Sequence, residues 1–112
     1  MEKRMNNENL VKIKVLGVGG GGTNAVSRMM ESKIENIDPY LINTEMSILN
    51  RNKNINPKRV MQIGKETTKG LGAGANEIMG EKAAIESKEQ IKQLLQNTDM
   101  VFITAGMGGG TG

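Results

Sequence analysis

The chain has 112 residues, 15 Lys+Arg against 12 Asp+Glu, a formal charge of +3, and no His, Cys or Trp. One domain is the ceiling at that length. The missing residue types exclude a Cys/His zinc site, a Ser-His-Asp triad, a thiol nucleophile and a disulfide framework, so any chemistry rests on carboxylates, hydroxyls, Lys, backbone amides or a metal held by oxygens.

Residues 1–10 are polar, with no hydrophobic core of a signal peptide, and are expected to form a disordered tail ahead of a domain over 11–112. Lys12-Ile13-Lys14-Val15-Leu16 alternates, then turns continuously apolar before a glycine run, which predicts a central strand. Val26, Met29 and Met30 share a face over 23–33, the spacing of an amphipathic helix. Tyr40-Leu41-Ile42 reads as a second buried strand, the Asn-rich stretch 51–57 as a solvated loop, and residues 59–63 as a short third strand. A second glycine stretch at 70–74 precedes a helix from about Asn76. Ser87-Lys88-Glu89-Gln90 fits a capping box that opens a helix with Ile91, Leu94 and Leu95 as its buried stripe. Met100-Val101-Phe102-Ile103 is a further buried strand, running into glycines 106 and 108–110, Thr111 and Gly112.

Strands alternating with helical patterns predict an α/β, Rossmann-like parallel sheet. No apolar run approaches the roughly 18 residues of a membrane span, and a cytoplasmic protein is expected. The positive charge is dispersed, and no nucleic-acid partner is expected from it. The chain stops inside a glycine motif with no helix to receive it, which is the expectation for a fragment of a longer protein.

The glycines cluster where predicted strands end, the place where open α/β sheets bind ligands. Gly17, Gly19 and Gly22 satisfy G-x-G-x-x-G, directly before a helix. Glycine lets successive amides point at one anion, and a helix start adds free N–H groups and partial positive charge. A four-glycine run meets that pattern cheaply, and a tight turn without ligand satisfies it equally. No G-x-x-x-x-G-K-S/T occurs, so a P-loop is excluded. Glu45, after the second strand, would accept ribose hydroxyls in a dinucleotide-dependent oxidoreductase; a polar turn capped by Asn43 or Thr44 is the plainer reading. Residues 70–74 serve either as a connector or as a third backbone cradle. Several cradles after parallel strands exceed what one pyrophosphate requires, and favour a nucleoside di- or triphosphate.

Three segments carry a family resemblance: residues 13–26, residues 70–76 with Gly-Leu-Gly-Ala-Gly-Ala-Asn, and residues 99–112, which end in Gly108-Gly109-Gly110-Thr111-Gly112. Over about residues 11–112 the chain resembles the N-terminal part of the FtsZ family, the bacterial tubulin homologues; its last segment matches the tubulin signature G-G-G-T-G-S/T-G as far as it goes. The resemblance implies the N-terminal part of a tubulin/FtsZ-type GTPase domain, truncated, in a protein that binds and hydrolyses GTP and polymerises into the division ring. It implies GTP or GDP as ligand, with Mg2+ bound through the phosphates. The implied phosphate contacts are Gly20, Gly21, Gly22, Thr23 and Asn24 in the first loop. Gly108, Gly109, Gly110, Thr111 and Gly112 follow in the signature loop, and Thr44, Glu45, Ala73, Gly74 and Ala75 lie near the terminal phosphate. Glu45 stands where the family usually has Asp, one methylene shorter, and Thr23 stands at a variable position.

In that family the ribose and most guanine contacts, and the acids that activate water on a neighbouring subunit, lie beyond residue 112. The chain is therefore expected to hold the phosphate-binding half of a site and no catalytic residue. The implied partners are further copies of itself in filaments and division-ring proteins, with membrane contact only through adaptors, in the cytoplasm at the division site. A non-catalytic nucleotide-binding fragment is the alternative for the chain alone.

Overall fold

The structure, a computed structural model, describes residues 11–32, 34–45, 55–74, 76–106 and 109–112. The expected tail over 1–10 and residues 51–54 of the expected loop lie outside them. Four strands, β1 (Ile13–Val18), β2 (Ile37–Asn43), β3 (Val60–Gln62) and β4 (Met100–Ala105), form one parallel sheet in the order β3-β2-β1-β4. β1 is central, as its apolar run predicts. It pairs along its whole length with β2, Ile13 opposite Ile37 through Val18 opposite Ile42. On its other side it pairs with β4, from Ile13 opposite Met100 to Val18 opposite Ala105.

Successive strand residues point to opposite faces, so Val15 and Leu16, like Leu41 and Ile42, feed two separate cores. On one face Val15 and Leu41 bury Val26 of helix α1 (Gly19–Glu31), with Met29 and Met30 packed alongside. On the other, Leu16, Ile42 and Ile63 meet Ala83 of α3 (Glu77–Glu86). The Ile91, Leu94 and Leu95 stripe of α4 (Lys88–Leu94) closes that side, as its spacing predicts. Each large aliphatic side chain taken out of water in this way contributes about 1.5–3 kcal/mol. Pro39 sits inside β2 without disrupting the ladder because β3 begins only opposite Leu41. The guanidinium of Arg59 instead reaches the Pro39 carbonyl at 3.3 Å and pairs with Asp38.

The structure departs from the sequence expectations at four places. Helix α1 starts at Gly19 rather than Thr23, although glycine costs about 1 kcal/mol per helical position. Close packing overrides that cost: a Cβ on Gly17 would stand 2.3 Å from the Gly22 carbonyl oxygen, and one on Gly22 would stand 2.1 Å from the Thr104 oxygen. A single-turn helix, α2 (Lys65–Thr68), has no apolar periodicity to announce it. Ser87 does precede α4, but its hydroxyl makes no capping bond there; it accepts the Gly64 amide at 3.0 Å instead. Finally, β4 lies at the edge of the described sheet, with Met100 48 %, Phe102 53 % and Ile103 66 % exposed among the described residues. No described element lies beyond it in the sheet.

Candidate functional site

The strand order changes direction between β1 and β4, and the ends of these two strands and of β2 open into one cleft of about 410 Å3. This is the switch point at which open α/β sheets accept ligands. Gly19, Gly20 and Gly21 line it from the start of α1, and Asn43, Thr44 and Glu45 from the end of β2. Gly72, Ala73 and Gly74 enter from the loop before α3, and Gly106, Gly109, Thr111 and Gly112 from the segment after β4.

The helix start is prepared for an anion. Val18 at the N-cap makes no side-chain cap bond, and the first turn carries no acidic residue, so the leading amides of α1 stay unsatisfied by their own helix. Gly19 has φ of +74°, a conformation that favours glycine and begins the turn from β1 into α1. Gly21 is helical, and a Cβ there would meet only Gly106, at 3.5 Å.

Four long-range contacts tie these loops to each other and to α3. The hydroxyls of Thr44 and Thr111 hydrogen-bond at 2.8 Å across a sequence separation of 67 residues. Gly80 of α3 lies so close beneath the last loop that a Cβ would stand 1.9 Å from the Gly110 oxygen. Gly110 itself, with φ of +84°, leaves 2.8 Å between a would-be Cβ and the Ala73 methyl. Glu45 forms an isolated bridge with Leu71, joining the end of β2 to the third glycine loop.

Of the residues singled out in the sequence, Gly20, Gly21, Thr44, Glu45, Ala73, Gly74, Gly109, Thr111 and Gly112 therefore converge on the cleft. Gly22 and Thr23 lie on the buried side of α1, Thr23 donating its hydroxyl back to the Gly20 carbonyl at 3.1 Å, and Asn24 is exposed on the helix. None of these three lines the cleft, because the helix begins four residues early and turns them away. Gly110 shapes the loop from behind. Ala75 and Gly108 lie outside the described residues. Gly72, within the stretch 70–74 read as a connector or a third cradle, also lines the cleft, as do Gly106, Gly19 and Asn43. Their shared signal is position at, or just after, the C-terminal end of a strand or within a glycine loop.

Residues 12–112 match the model of the Tubulin/FtsZ family, GTPase domain. The chain belongs to that family. It is 55 % identical over 104 residues to the cell division protein FtsZ of Aquifex aeolicus, covering 93 % of this chain and 28 % of the relative. It is 56 % identical over 100 residues to the FtsZ of Azotobacter vinelandii, covering 89 % of this chain and 25 % of the relative. An empty FtsZ dimer from M. jannaschii superposes with a TM-score of 0.86 at 43 % identity, over 99 % of this chain and 32 % of that one. The chain thus spans about a quarter of the length of the curated relatives it matches.

Membership of the Tubulin/FtsZ family sets aside the dinucleotide-dependent oxidoreductase suggested by G-x-G-x-x-G. The cleft fits the phosphates of a nucleotide on its own chemistry as well. The Asn43 side chain is 3 % exposed; its oxygen accepts the Thr44 amide at 2.8 Å, while its Nδ2 is buried without a partner. A buried amide donor of that kind calls for an acceptor. No Lys or Arg is among the described lining residues, so amides, hydroxyls and the helix start are what they offer a phosphate. Glu45 is their one acidic side chain, and no group of three or more acidic residues among the described residues could hold a metal by itself.

Proposed function

We propose that this chain is the phosphate-binding part of a protein that binds and hydrolyses GTP, polymerises, and acts in cell division. The observation that carries the reading is the cleft, where a helix start free of acids, three further loop segments and the orphaned Asn43 amide converge. The amides at the start of α1 and in the Gly109–Gly112 segment would take the phosphate oxygens, with the Thr44–Thr111 hydroxyl pair holding the two loops in register. Preorganised donors of this kind stabilise developing charge in phosphoryl transfer because they need no reorientation at the moment of reaction. A magnesium ion, held through the phosphates on the Glu45 side, would neutralise part of their charge.

The described lining residues supply charge stabilisation but no evident base to orient a water other than Glu45, and catalysis needs both. We place the water-activating group outside this chain, which makes assembly with further copies part of the reaction. The M. jannaschii relative is a dimer, which supports self-association here. Division-ring partners, cytoplasmic location at the division site and membrane contact through adaptors belong to the same reading. No described helix is long and apolar enough to cross a membrane.

The test is an equilibrium titration of the full-length protein with GTP, GDP and NAD. Guanine nucleotides bind far more tightly than NAD on this reading; NAD binding tighter than GDP refutes it.

A further inference from the structure

Helix α2 is a single turn, too short to persist by its own hydrogen bonds. It stands between two residues of left-handed backbone, Gly64 (φ 65°) and Lys69 (φ 54°), and Gly64 at its N-cap has no side chain to cap it. Its caps come from another element, at the far end of α3. The Glu86 carboxylate accepts the Glu66 amide at 3.1 Å on one oxygen, and the Thr67 amide at 2.8 Å and hydroxyl at 2.6 Å on the other. Next to it, the Ser87 hydroxyl accepts the Gly64 amide at 3.0 Å. The Thr67 hydroxyl first, then the two amides, hold the Glu86 carboxyl below its ordinary value of 4.5, so it is ionised at neutral pH and these are charge-assisted bonds.

The segment so held leads directly into the cleft. The Thr68 hydroxyl donates to the Gly64 carbonyl, the Leu71 amide donates to the Thr68 carbonyl at 3.0 Å, and Gly72, Ala73 and Gly74 then line the cleft. The loop leaves through Asn76, whose amide donates to the Ala73 carbonyl and whose side chain caps α3 at Ile78 and Met79. One ten-residue helix therefore clamps both ends of this glycine loop: Asn76 at its start holds the exit, and Glu86 and Ser87 at its finish hold the entry. Gly70, Gly72 and Gly74 all have positive φ, so the loop between the clamps has no side chains to restrict its backbone at those positions.

We propose that Glu86 and Ser87, neither of which lines the cleft, are positioning residues that hold its third glycine loop in the ligand-competent shape. The inference rests on the GTP reading above. It predicts coupling: loss of the entry clamp lets the loop sample other conformations, and the ligand then has to order it on binding.

The test uses the full-length protein with Glu86→Ala, Glu86→Gln and Ser87→Ala, measuring GTP affinity by equilibrium titration and amide hydrogen exchange residue by residue. With three bonds to a charged acceptor removed, Glu86→Ala should bind GTP about tenfold more weakly. Exchange should accelerate at Glu66, Thr67 and Leu71 and stay unchanged in β1. Glu86→Gln keeps an oxygen acceptor and should recover part of the affinity. Wild-type affinity in Glu86→Ala despite faster exchange at those amides overturns the inference. Equal acceleration in β1 also overturns it, because the effect is then on the fold and not on the loop. Where Glu86→Ala fails to accumulate, Ser87→Ala is judged by the same two readouts. A wild-type protein that does not bind GTP removes the nucleotide reading and this inference together, and is distinguished by the failure of the parent as well as the variants.

Discussion

Two adjacent glycines, Gly21 and Gly22, should respond to a side chain in opposite ways. At Gly22 a Cβ would lie 2.1 Å from the Thr104 carbonyl oxygen and 3.1 Å from the Gly17 carbonyl carbon. Both neighbours are strand backbone, Gly17 and Thr104 being partners across β1 and β4, so neither swings aside, and α1 has to retreat by about an ångström to restore ordinary contact. Overpacking of this kind costs about 1–3 kcal/mol, and Gly22→Ala belongs at the upper end because the obstacle is rigid. Gly21 faces the cleft, with ordinary helical backbone and only Gly106 within contact distance, at 3.5 Å. Gly21→Val should leave stability within about 0.5 kcal/mol while placing a branched side chain where phosphate would approach, weakening GTP binding by at least about 1.4 kcal/mol, a factor of ten. Urea denaturation and a GTP titration with magnesium, run on both variants of the full-length protein, separate the two effects. Unchanged GTP affinity in Gly21→Val would show that the first glycine run is only a structural turn. A wild-type urea midpoint in Gly22→Ala would refute the packing argument.

Asn76→Ala removes the acceptor for the Ile78 and Met79 amides and should cost about 1 kcal/mol in a denaturation experiment. Tyr40 is the only tyrosine, and burial first, then its bond to Asp38, raises its pKa above 10.0, so an ultraviolet titration should find its midpoint above that value. With the folded pKa raised, its contribution to stability is complete below pH 10.0 and is lost as pH climbs through the folded value. Glu86 has the opposite sign: its folded pKa is lowered, so its contribution is complete above pH 4.5 and is lost as pH falls through the folded value, and Glu86→Gln should flatten the acid side of a thermal-melt profile. The 112-residue chain alone should release no phosphate from GTP; steady magnesium-dependent release that scales with its concentration and vanishes in Gly21→Val would mean that it carries its own catalytic group.

The local patterns in this chain are strong enough to be read without a structure. Alternation and apolar runs mark β1, β2 and β4, the spacing of Ile91, Leu94 and Leu95 marks the buried side of α4, and glycines after strands mark where a ligand would sit. These are short-range signals, set by side-chain direction within one element. What the tertiary structure decided is every matter that depends on a neighbour distant in sequence. Helix α1 begins among four glycines against their helix propensity, and at one of them, Gly22, the backbones of Gly17 and Thr104 leave no room for a side chain. The amides at the start of α2 find their acceptor on Glu86, and the Ser87 hydroxyl accepts the Gly64 amide instead of capping α4, both across about twenty residues of sequence. The composition of β4 does not say where the strand sits; strand order places it beside β1, at the edge of the described sheet. Strand order also decided the site: with β1 between β2 and β4, Thr44 and Thr111 meet across the cleft, and the early start of α1 turns Gly22, Thr23 and Asn24 away from it. A sequence pattern specifies which way a residue faces within its own element, whereas which faces and loops meet depends on contacts that form only when the whole sheet assembles.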